Sequence, residues 1–372
     1  MKIFISGGGT GGHIYPALAI AQYIEDNNIV KKNDIIFIGN KNKMEADIIP
    51  KYGYKMAFID IIGFPRKISL KLLKFIFKFF LSIFQTIKII KKYNPKLIIG
   101  TGGYVSFLPI ILGKLMGKST IILEQNYIPG LSNKILARFS DIVFISFEET
   151  KKFFKINEKK LILTGTPIIK KPLTENGNIT NIDKKLYNMR IGVVGGSSGA
   201  RKINEFIKNF IITNKEYIIN KNLLIIWITG KRDFNNYQEY KVDNNVIVIP
   251  YCDNMKTFYQ NIDFIISRSG AMSVYEISLN KIPAFYIPYP YATDNHQYYN
   301  AKYFRDKGVA IVYEEKNLSQ EKFNNILKEF IENKTIIETM KNYYNKLKLP
   351  NTQEIIINVI KKYYKTEGKN ER

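Results

Sequence analysis

The chain has 372 residues and a formal net charge of +24, with 56 Lys and Arg against 32 Asp and Glu. At about 150 residues per domain this length predicts two domains, and a single cysteine, Cys252, excludes an intrachain disulfide. No apolar run approaches the ~20 residues of a membrane-spanning helix, and no apolar leader precedes the first strand. An unexported cytosolic protein with an anionic partner is therefore expected. The charge alone leaves nucleic acid, anionic lipid and phosphates open.

The first predicted unit is a strand, a glycine-rich turn and a helix. Lys2 to Ser6 form a short apolar strand, and GGGTGGH follows at residues 7–13. Apolar residues then recur at helical spacing from Tyr15 to Ile24, with Pro16 in the first turn. Glycine permits positive φ and close approach of a ligand, while the N–H groups of a helix start favour an anion. The turn predicts a diphosphate cradle; the alternative is a tight turn that binds nothing.

The same glycines also fit the fingerprint of dinucleotide-binding proteins. Gly7, Gly9 and Gly12 satisfy G-x-G-x-x-G. That fingerprint needs an acid at the end of the second strand, about 20 residues further on. The second strand, residues 34–40, has its only acid, Asp34, at its start. A nicotinamide enzyme is therefore disfavoured.

Strands and helices alternate along the rest of the chain, as in a parallel sheet with crossover helices. Apolar runs occur at KMAFID, KLIIG, STIILEQN, DIVFISF and LILTGTP, and a polar stretch follows at residues 170–185. Near residue 190 the pattern restarts with MRIGVVGGSSGARKINEFI. The sequence therefore predicts an α/β protein with two Rossmann-like, doubly wound parallel-sheet domains that face each other across a cleft.

Residues 71–93 form a predicted helix with unusual amphipathicity. One third of its circumference is polar, with Lys71, Lys74, Lys78, Gln85, Lys88 and Lys92. The rest is almost wholly apolar and exceeds what a core-facing stripe requires. A membrane-interface patch is predicted, formed by Lys74, Phe77, Lys78, Phe80 and Phe84 and helped by Arg66 and Lys67. A helix buried on most sides, or a dimer contact, is the alternative.

Three stretches of the second half also suggest ligand contacts. GGSSGAR, residues 195–201, offers a second diphosphate cradle with the hydroxyls of Ser197 and Ser198. After the strand IDFII, Ser269 and Gly270 open a helix that carries Glu276 in its second turn. That carboxylate suits the hydroxyls of a ribose, and the alternative is a solvated surface glutamate. The third, PYPYATDNHQYYNA, is predicted to be helical from about Asp294 and carries His296 and Gln297.

Six motifs together resemble one protein family. They are GGGTGGH, GTGGYVS, LEQN, GGSSGAR, RSGAMSVYE and DNHQYYNA, and their order and approximate spacing are those of the MurG family of bacterial peptidoglycan glycosyltransferases. The resemblance runs from residue 2 to about residue 360. It implies a GT-B enzyme that transfers N-acetylglucosamine from UDP-N-acetylglucosamine to the 4-hydroxyl of the N-acetylmuramoyl sugar of lipid I, with inversion, to form lipid II. A related GT-B enzyme with another lipid acceptor, such as diacylglycerol, is the alternative.

The resemblance also assigns regions and contacts. It implies an acceptor- and membrane-associating domain at 1–168, a linker at 169–188, a UDP-sugar-binding domain at 189–345, and a C-terminal helix within 346–372 that packs on the first domain. The implied donor contacts are Thr10, Gly11, Gly12, Asn126, Ser197, Cys252, Ala271, Met272, Ser273, Val274, Tyr275, Glu276 and Gln297. The loops implied to border the acceptor diphosphate contain Gly9, Gly102, Gly103 and Tyr104.

Catalysis by single displacement needs a base for the acceptor hydroxyl. Imidazole titrates near the working pH, so His13 is the expected base, with a contribution from Glu124 or Tyr104. A purely hydrogen-bonding His13 is the alternative. Because the chain contains no D-x-D carboxylate pair, a reaction without metal or cofactor is expected, with helix N-termini and loop N–H groups stabilising the UDP leaving group.

The chain departs from the family pattern at residue 169. The family has an arginine where this chain has Ile169, and the adjacent Lys170 offers a point charge but no bidentate fork. UDP-N-acetylglucosamine, undecaprenyl-linked lipid I, an anionic membrane surface and other proteins of cell-wall synthesis are the expected partners, and nucleic acid is not. The expected location is peripheral, on the cytoplasmic face of the inner membrane.

Overall fold

The computed structural model describes residues 1–63, 70–172, 179, 182–196, 199–242, 244–252 and 254–365. The chain divides into two compact units. Unit 1 contains Met1–Lys171 and Pro350–Arg372, and unit 2 contains Pro172–Leu349. Both units are α/β folds built on a parallel sheet, which confirms the predicted fold class.

Unit 1 is built on a seven-stranded sheet. Its strands are β1 (Lys2–Gly7), β2 (Ile35–Gly39), β3 (Lys55–Phe58), β4 (Pro95–Gly102), β5 (Ser119–Glu124), β6 (Ile142–Ile145) and β7 (Leu161–Leu163). Their order in the sheet is β3-β2-β1-β4-β5-β6-β7. Ile3, Phe4 and Ile5 of β1 are each 0% exposed, because a parallel sheet is covered on both faces.

Unit 2 is built on a six-stranded sheet. Its strands are β8 (Met189–Val194), β9 (Leu223–Ile228), β10 (Val246–Ile249), β11 (Phe264–Ser267), β12 (Ala284–Tyr286) and β13 (Ala310–Val312). They are parallel, in the order β10-β9-β8-β11-β12-β13.

Helices connect the strands and cover both sheets. In chain order they are α1 (Gly11–Asp26), α2 (Met44–Lys51), α3 (Leu70–Tyr93), α4 (Phe107–Leu115), α5 (Leu131–Phe139), α6 (Arg201–Thr213), α7 (Lys215–Asn220), α8 (Met255–Gln260), α9 (Ala271–Leu279), α10 (His296–Asp306), α11 (Gln320–Glu332), α12 (Lys334–Lys346) and α13 (Thr352–Lys365). No helix in the described part of the chain combines the length and the apolar character of a membrane span.

Two predicted helix starts are corrected by the structure. α1 begins at Gly11 rather than Tyr15, so Pro16 lies inside the helix, where it lacks the N–H that would bond the Gly12 carbonyl. α10 begins at His296, because Asp294 and Asn295 adopt φ values of 52° and 51°, outside the helical region. Propensity missed both, since glycine can enter a helix start and Asp and Asn tolerate left-handed backbone.

The sheet of unit 1 separates two apolar clusters. Side chains alternate along β1, so Ile3 and Ile5 pack towards α1 and α13, while Phe4 packs towards α3, α4 and α5. The C-terminal helix α13 joins the first cluster through Ile356, Ile357 and Ile360.

Each sheet has one topological switch point, where consecutive connections leave in opposite directions. In unit 1 it lies between β1 and β4, and in unit 2 between β8 and β11. Ligands of open α/β sheets bind outside the carboxyl ends of the strands at such a point. A glycine-containing motif lies at the carboxyl end of each of β1, β4, β8 and β11. The fold therefore places two such motifs at each switch point.

Candidate active site

The turn after β1 leaves hydrogen-bond donors at the start of α1. Thr10 caps the helix in an extended conformation without a side-chain hydrogen bond, and Thr10 and Gly12 are exposed. Within the described residues the N–H groups of Gly11 and Gly12 have no hydrogen-bond partner. Two open N–H groups at a helix start form a site for an anionic group.

His13 follows these donors and is tied to the neighbouring strand. Its Nδ1 lies 3.0 Å from the carbonyl oxygen of Thr101, which is the penultimate residue of β4. A carbonyl only accepts, so Nδ1 carries the hydrogen in the neutral ring and the lone pair lies on Nε2. The imidazole is therefore held in the tautomer that a general base requires.

The position of that imidazole requires glycine at the end of β4 and directly after it. Gly102 has φ +106°, and a Cβ atom there would lie 2.5 Å from Nδ1 of His13. Gly103 has φ +79°, and its Cβ atom would lie 2.5 Å from the Gly8 carbonyl oxygen. The two glycine stretches of unit 1 thus pack directly on each other, and any side chain at either position would displace the ring or the first turn.

Tyr104 stands next to the first glycine turn. A Cβ atom on Gly9 would lie 3.6 Å from the Tyr104 ring. Burial raises the pKa of the Tyr104 phenol, and the nearby Glu45 carboxylate raises it further. The phenol therefore stays protonated at neutral pH and acts as a hydrogen-bond donor, which does not suit it as a base.

Glu124 is occupied by protein groups. It is 2% exposed, and its carboxylate accepts hydrogen bonds from the backbone N–H groups of Asn126 (2.9 Å) and Gly130 (3.0 Å) and from the amides of Asn133 (2.8 Å) and Asn126 (3.2 Å). Burial raises the pKa of the Glu124 carboxyl, and these hydrogen bonds oppose the shift. The predicted catalytic contribution of Glu124 is revised, since the geometry gives it the role of holding the loop that carries Asn126.

Sequence reasoning missed Glu45, on α2. Its carboxylate is 0% exposed and accepts the N–H of Gly9 at 2.9 Å. The N–H of Gly9 is therefore bonded to protein, and the predicted place of Gly9 in a loop that borders the acceptor diphosphate stays a prediction. The usable signal was an acid in the first turn of the helix after β2, because β2 neighbours β1 in the sheet.

Lys170, next to the position of the family's arginine, contacts residues of α1. Its ammonium lies 5.8 Å from the centroid of the Tyr23 ring, and its backbone N–H donates to Gln22 at 3.1 Å. Ile169 packs at the edge of the apolar cluster on the α1 face of the sheet. Both residues serve contacts with α1.

The glycine turn after β8 is the corresponding feature of unit 2. Gly196 has φ +90°, and no atom of the residues that the structure describes lies within 4 Å of where its Cβ would be, which suits close approach of a ligand. Gly199 has φ +76°, and a Cβ there would lie 2.5 Å from the Thr229 carbonyl oxygen. Ser197 and Ser198, predicted as hydroxyl donors, lie outside the described residues.

Helix α9 presents part of its predicted contact set. Gly270 caps it in an extended conformation, and Met272, Ser273 and Glu276 are partly exposed. Ala271, Val274 and Tyr275 are 9%, 0% and 1% exposed. Helical spacing turns the side chains of Val274 and Tyr275 into the core, and the predicted donor contacts of these two residues stay predictions.

Glu276 is not a solvated surface residue. It accepts a hydrogen bond from the hydroxyl of Tyr259, on α8, at 3.0 Å. Burial raises the pKa of the Glu276 carboxyl to about 7, and the hydrogen bond opposes that shift. Cys252 is 3% exposed and lies close enough to Tyr259 to add slightly to the raised pKa of that phenol, which is due mainly to burial. A carboxylate so poorly hydrated is well suited to accept hydrogen bonds from a ligand.

Gln297 connects the ends of two strands. Its side-chain oxygen accepts the N–H groups of Ser269 (3.3 Å) and Tyr289 (3.0 Å), which follow β11 and β12. Arg268, missed by sequence reasoning, donates to the Ile287 and Pro288 carbonyls at 3.0 Å and to Glu315 at 2.7 Å. These bonds fix the loops at the mouth of the second switch point.

Helix α3 exposes apolar side chains in addition to the apolar face that packs on the core. Ser82 and Thr86 are 0% exposed, whereas Phe77, Phe80 and Phe84 are 71%, 58% and 70% exposed. With Leu73, Ile76 and Leu81 these phenylalanines form a continuous apolar stripe on the surface.

The lysines of α3 divide between two surroundings. Lys74 is exposed. Lys78 forms an ion pair with Asp60 (2.5 Å), and only 22% of its side chain is exposed, so the predicted lipid contact of Lys78 is corrected. Arg66 and Lys67, and the side chain of Lys71, lie outside what the structure describes.

Comparison with known proteins identifies a family over both units. Residues 3–145 match the glycosyltransferase family 28 N-terminal domain, and residues 190–354 match the C-terminal domain of that family.

Relatives named for one activity match almost the whole chain. The UDP-N-acetylglucosamine–N-acetylmuramyl-(pentapeptide) pyrophosphoryl-undecaprenol N-acetylglucosamine transferase of Thermoanaerobacter sp. (strain X514) is 37% identical over 369 residues, with 97% of this chain and 99% of that protein covered. The protein of the same name from Clostridioides difficile (strain 630) is 37% identical over 377 residues, with 99% and 90% covered.

A solved structure agrees with these sequences. The crystal structure of Acinetobacter baumannii MurG aligns with a TM-score of 0.75 at 25% identity, covering 97% of this chain and 100% of that one. The S. aureus MnaA–UDP structure, at 13% identity and a TM-score of 0.67, shares the fold.

Proposed function

The chain belongs to glycosyltransferase family 28, and from this premise we propose that it transfers N-acetylglucosamine from UDP-N-acetylglucosamine to lipid I, forming lipid II for peptidoglycan synthesis. The relatives that carry this activity in their names align over 97% or more of the chain at 37% identity. The observation in the structure that best supports a chemical role is the tautomer of His13 fixed by Thr101.

The proposed reaction is a single displacement with inversion. The 4-hydroxyl oxygen of the N-acetylmuramoyl sugar attacks C1 of N-acetylglucosamine, and the bond from C1 to the β-phosphate oxygen breaks with its electron pair remaining on UDP. The hydroxyl proton passes to Nε2 of His13, since Nδ1 is committed to the Thr101 carbonyl. The hydroxyl of Tyr104, kept protonated by its raised pKa, is a hydrogen-bond donor for the acceptor.

We assign the donor nucleotide to unit 2. Glu276 supplies an acceptor for the ribose hydroxyls, and the turn at Gly196 leaves its backbone open to the diphosphate. Backbone donors of this kind stabilise the charge that develops on UDP as the bond breaks. The absence of a D-x-D sequence is consistent with a leaving group stabilised in this way.

The exposed stripe of α3 is the proposed contact with the membrane. Beyond the face that packs on the core, which includes Phe79, Ile83 and Ile90, this helix exposes Phe77, Phe80 and Phe84. Aromatic side chains of this kind enter the headgroup boundary of a bilayer, and exposed Lys74 meets anionic lipid. An acceptor anchored by an undecaprenyl chain stays in the bilayer, which supports the proposal that the enzyme binds peripherally to the cytoplasmic face of the membrane.

A transfer assay with two acceptors tests the proposal. The purified protein is incubated with UDP-N-acetylglucosamine labelled in the sugar and with either lipid I or diacylglycerol, with and without EDTA. We expect label to enter a disaccharide lipid only with lipid I, at the same rate in EDTA. Labelling of diacylglycerol alone, or hydrolysis of the donor without transfer, would contradict the assignment.

A further inference from the structure

Glu45 is a buried acid whose position is unusual for its chemistry. It lies in the first turn of α2 and is 0% exposed. Within the described residues no ion pair connects it to a lysine, arginine or histidine. A buried carboxylate without a cation is unfavourable unless backbone donors satisfy it. An apolar side chain would fill this place at a lower desolvation cost.

Two backbone donors compensate this carboxylate, and they come from two different loops. Oε2 accepts the N–H of Gly9 at 2.9 Å, 36 residues away, and Oε1 accepts the N–H of Asn40 at 3.1 Å. The amide of Asn40 in turn donates to the Ile61 carbonyl at 2.6 Å. One carboxylate thereby joins the glycine turn after β1 to the loops that follow β2 and β3.

Neighbouring glycines are fitted to this carboxylate. A Cβ atom on Gly8 would lie 2.5 Å from its carboxyl carbon, and one on Gly39 would lie 2.8 Å from its Cγ. The carbonyl of Gly8 packs in turn against Gly103, where a Cβ would come within 2.5 Å. Contact therefore continues from Glu45 through the first glycine turn to the second, which encloses His13.

From these contacts we infer that Glu45 is the positioning residue of the acceptor-side glycine turn, in the enzyme proposed above. Glu45 holds the N–H of Gly9 inward, so that the donors of Gly11 and Gly12 and the ring of His13 face the substrate. It does not touch the reacting atoms. Its effect on transfer passes through the geometry of the turn, where a displacement of about 1 Å costs roughly 10²-fold in rate.

Hydrogen exchange tests this positioning without any substrate. Glu45→Gln keeps the shape of the side chain but brings an NH₂ group against one of the two N–H donors. Asp47→Asn, an exposed acid of the same helix, is the matched control. We expect the backbone amide of Gly9 to exchange roughly tenfold faster in Glu45→Gln, the loss of protection expected from one hydrogen bond, and at the wild-type rate in Asp47→Asn. Equal exchange in the two variants would overturn the inference.

Kinetics separate positioning from a general loss of stability. At a temperature where circular dichroism shows both variants folded, we expect kcat of Glu45→Gln to fall about 10- to 100-fold, with the KM for UDP-N-acetylglucosamine within about twofold of wild type. A wild-type kcat in folded Glu45→Gln would overturn the inference. Lack of transfer by the wild-type protein would instead reject the proposed function, and the exchange result would still decide whether Glu45 holds the turn.

Discussion

His13 and Thr101 hold each other by two hydrogen bonds that run in opposite directions. Nδ1 of His13 donates to the Thr101 carbonyl at 3.0 Å, and the Thr101 hydroxyl donates to the His13 carbonyl at 2.8 Å, across 88 residues of sequence. The first bond fixes the tautomer of the ring and the second fixes the backbone that carries it. The start of α1 is therefore tied to the end of β4, and the imidazole of His13 is held in one orientation.

Removal of the imidazole should abolish most of the chemistry and leave the donor bound. We expect His13→Ala to lower kcat by roughly 10²- to 10⁴-fold, the usual contribution of a general base. Calorimetric titration with UDP should give an affinity close to wild type, because the nucleotide is assigned to unit 2. If His13→Ala raised KM and left kcat unchanged, His13 would be a binding residue instead.

A methyl group on Gly102 should act almost like loss of the base. At φ +106° its Cβ would lie 2.5 Å from Nδ1 of His13, so Gly102→Ala must move the ring. We expect kcat to fall by roughly 10²-fold, and the free energy of unfolding to fall by about 1–3 kcal/mol from backbone strain.

Gly117→Ala is the control for strain alone. Gly117 also has positive φ, +74°, but in the described part of the chain no atom lies within 4 Å of its Cβ position. It should lose stability on urea unfolding by a similar amount and keep kcat within about twofold. If both variants lost kcat equally, contact with His13 would not be the cause.

Affinity for UDP should depend on the ionisation of Glu276. Burial raises the pKa of its carboxyl to about 7, and the ribose hydroxyls that we assign to it would donate to the ionised form. Protonation at lower pH therefore opposes binding, so affinity should fall by about tenfold from pH 8 to pH 6, in step with the ionised fraction.

Variants of Glu276 separate this effect from titration of the nucleotide. We expect Glu276→Ala to weaken UDP binding by about 1.5–3 kcal/mol at pH 8. Glu276→Gln should bind with a smaller pH dependence than wild type, because only the nucleotide still titrates. Identical pH profiles for wild type and Glu276→Gln would remove Glu276 from the ribose site.

The apolar stripe of α3 should control attachment to vesicles. We expect Phe77→Ser with Phe84→Ser to lower co-sedimentation with anionic vesicles by at least about tenfold. The reason is that burial of one phenylalanine side chain contributes about 1.5–3 kcal/mol to binding. Lys74→Glu should weaken it by about 1 kcal/mol or more. These variants should keep their activity on a short-chain soluble acceptor.

A second pair of exposed residues gives the control for this experiment. Ile212 and Ile219, in unit 2, are 54% and 43% exposed, and their replacement by Ser should leave vesicle binding unchanged. Lys78→Glu is unsuitable, because it would place a second carboxylate beside Asp60. If both double variants lost vesicle binding equally, the cause would be overall surface hydrophobicity rather than the stripe of α3.

Local patterns in the sequence were sufficient for the element types and for the family. Apolar runs of four to eight residues between glycine turns predict buried strands, and β1, β8 and β11 lie where these runs occur. Glycine turns between strand and helix predict anion sites, because the physics of a helix start is local. The order of six motifs then identified the family, which the comparisons confirm.

Tertiary structure decided which residues meet, because contacts between distant segments leave no periodic trace in the sequence. The helical wheel of α3 fixed the angles between Lys78, Ser82 and Phe84 but not which side faces the sheet, and the ion pair with Asp60 and the buried hydroxyls set that rotation. Glu45 looks like an ordinary helix-start acid until β2 is placed beside β1. The sheet order, which local spacing does not specify, brings Gly102 and the Thr101 carbonyl against His13 and so fixes the tautomer of its ring.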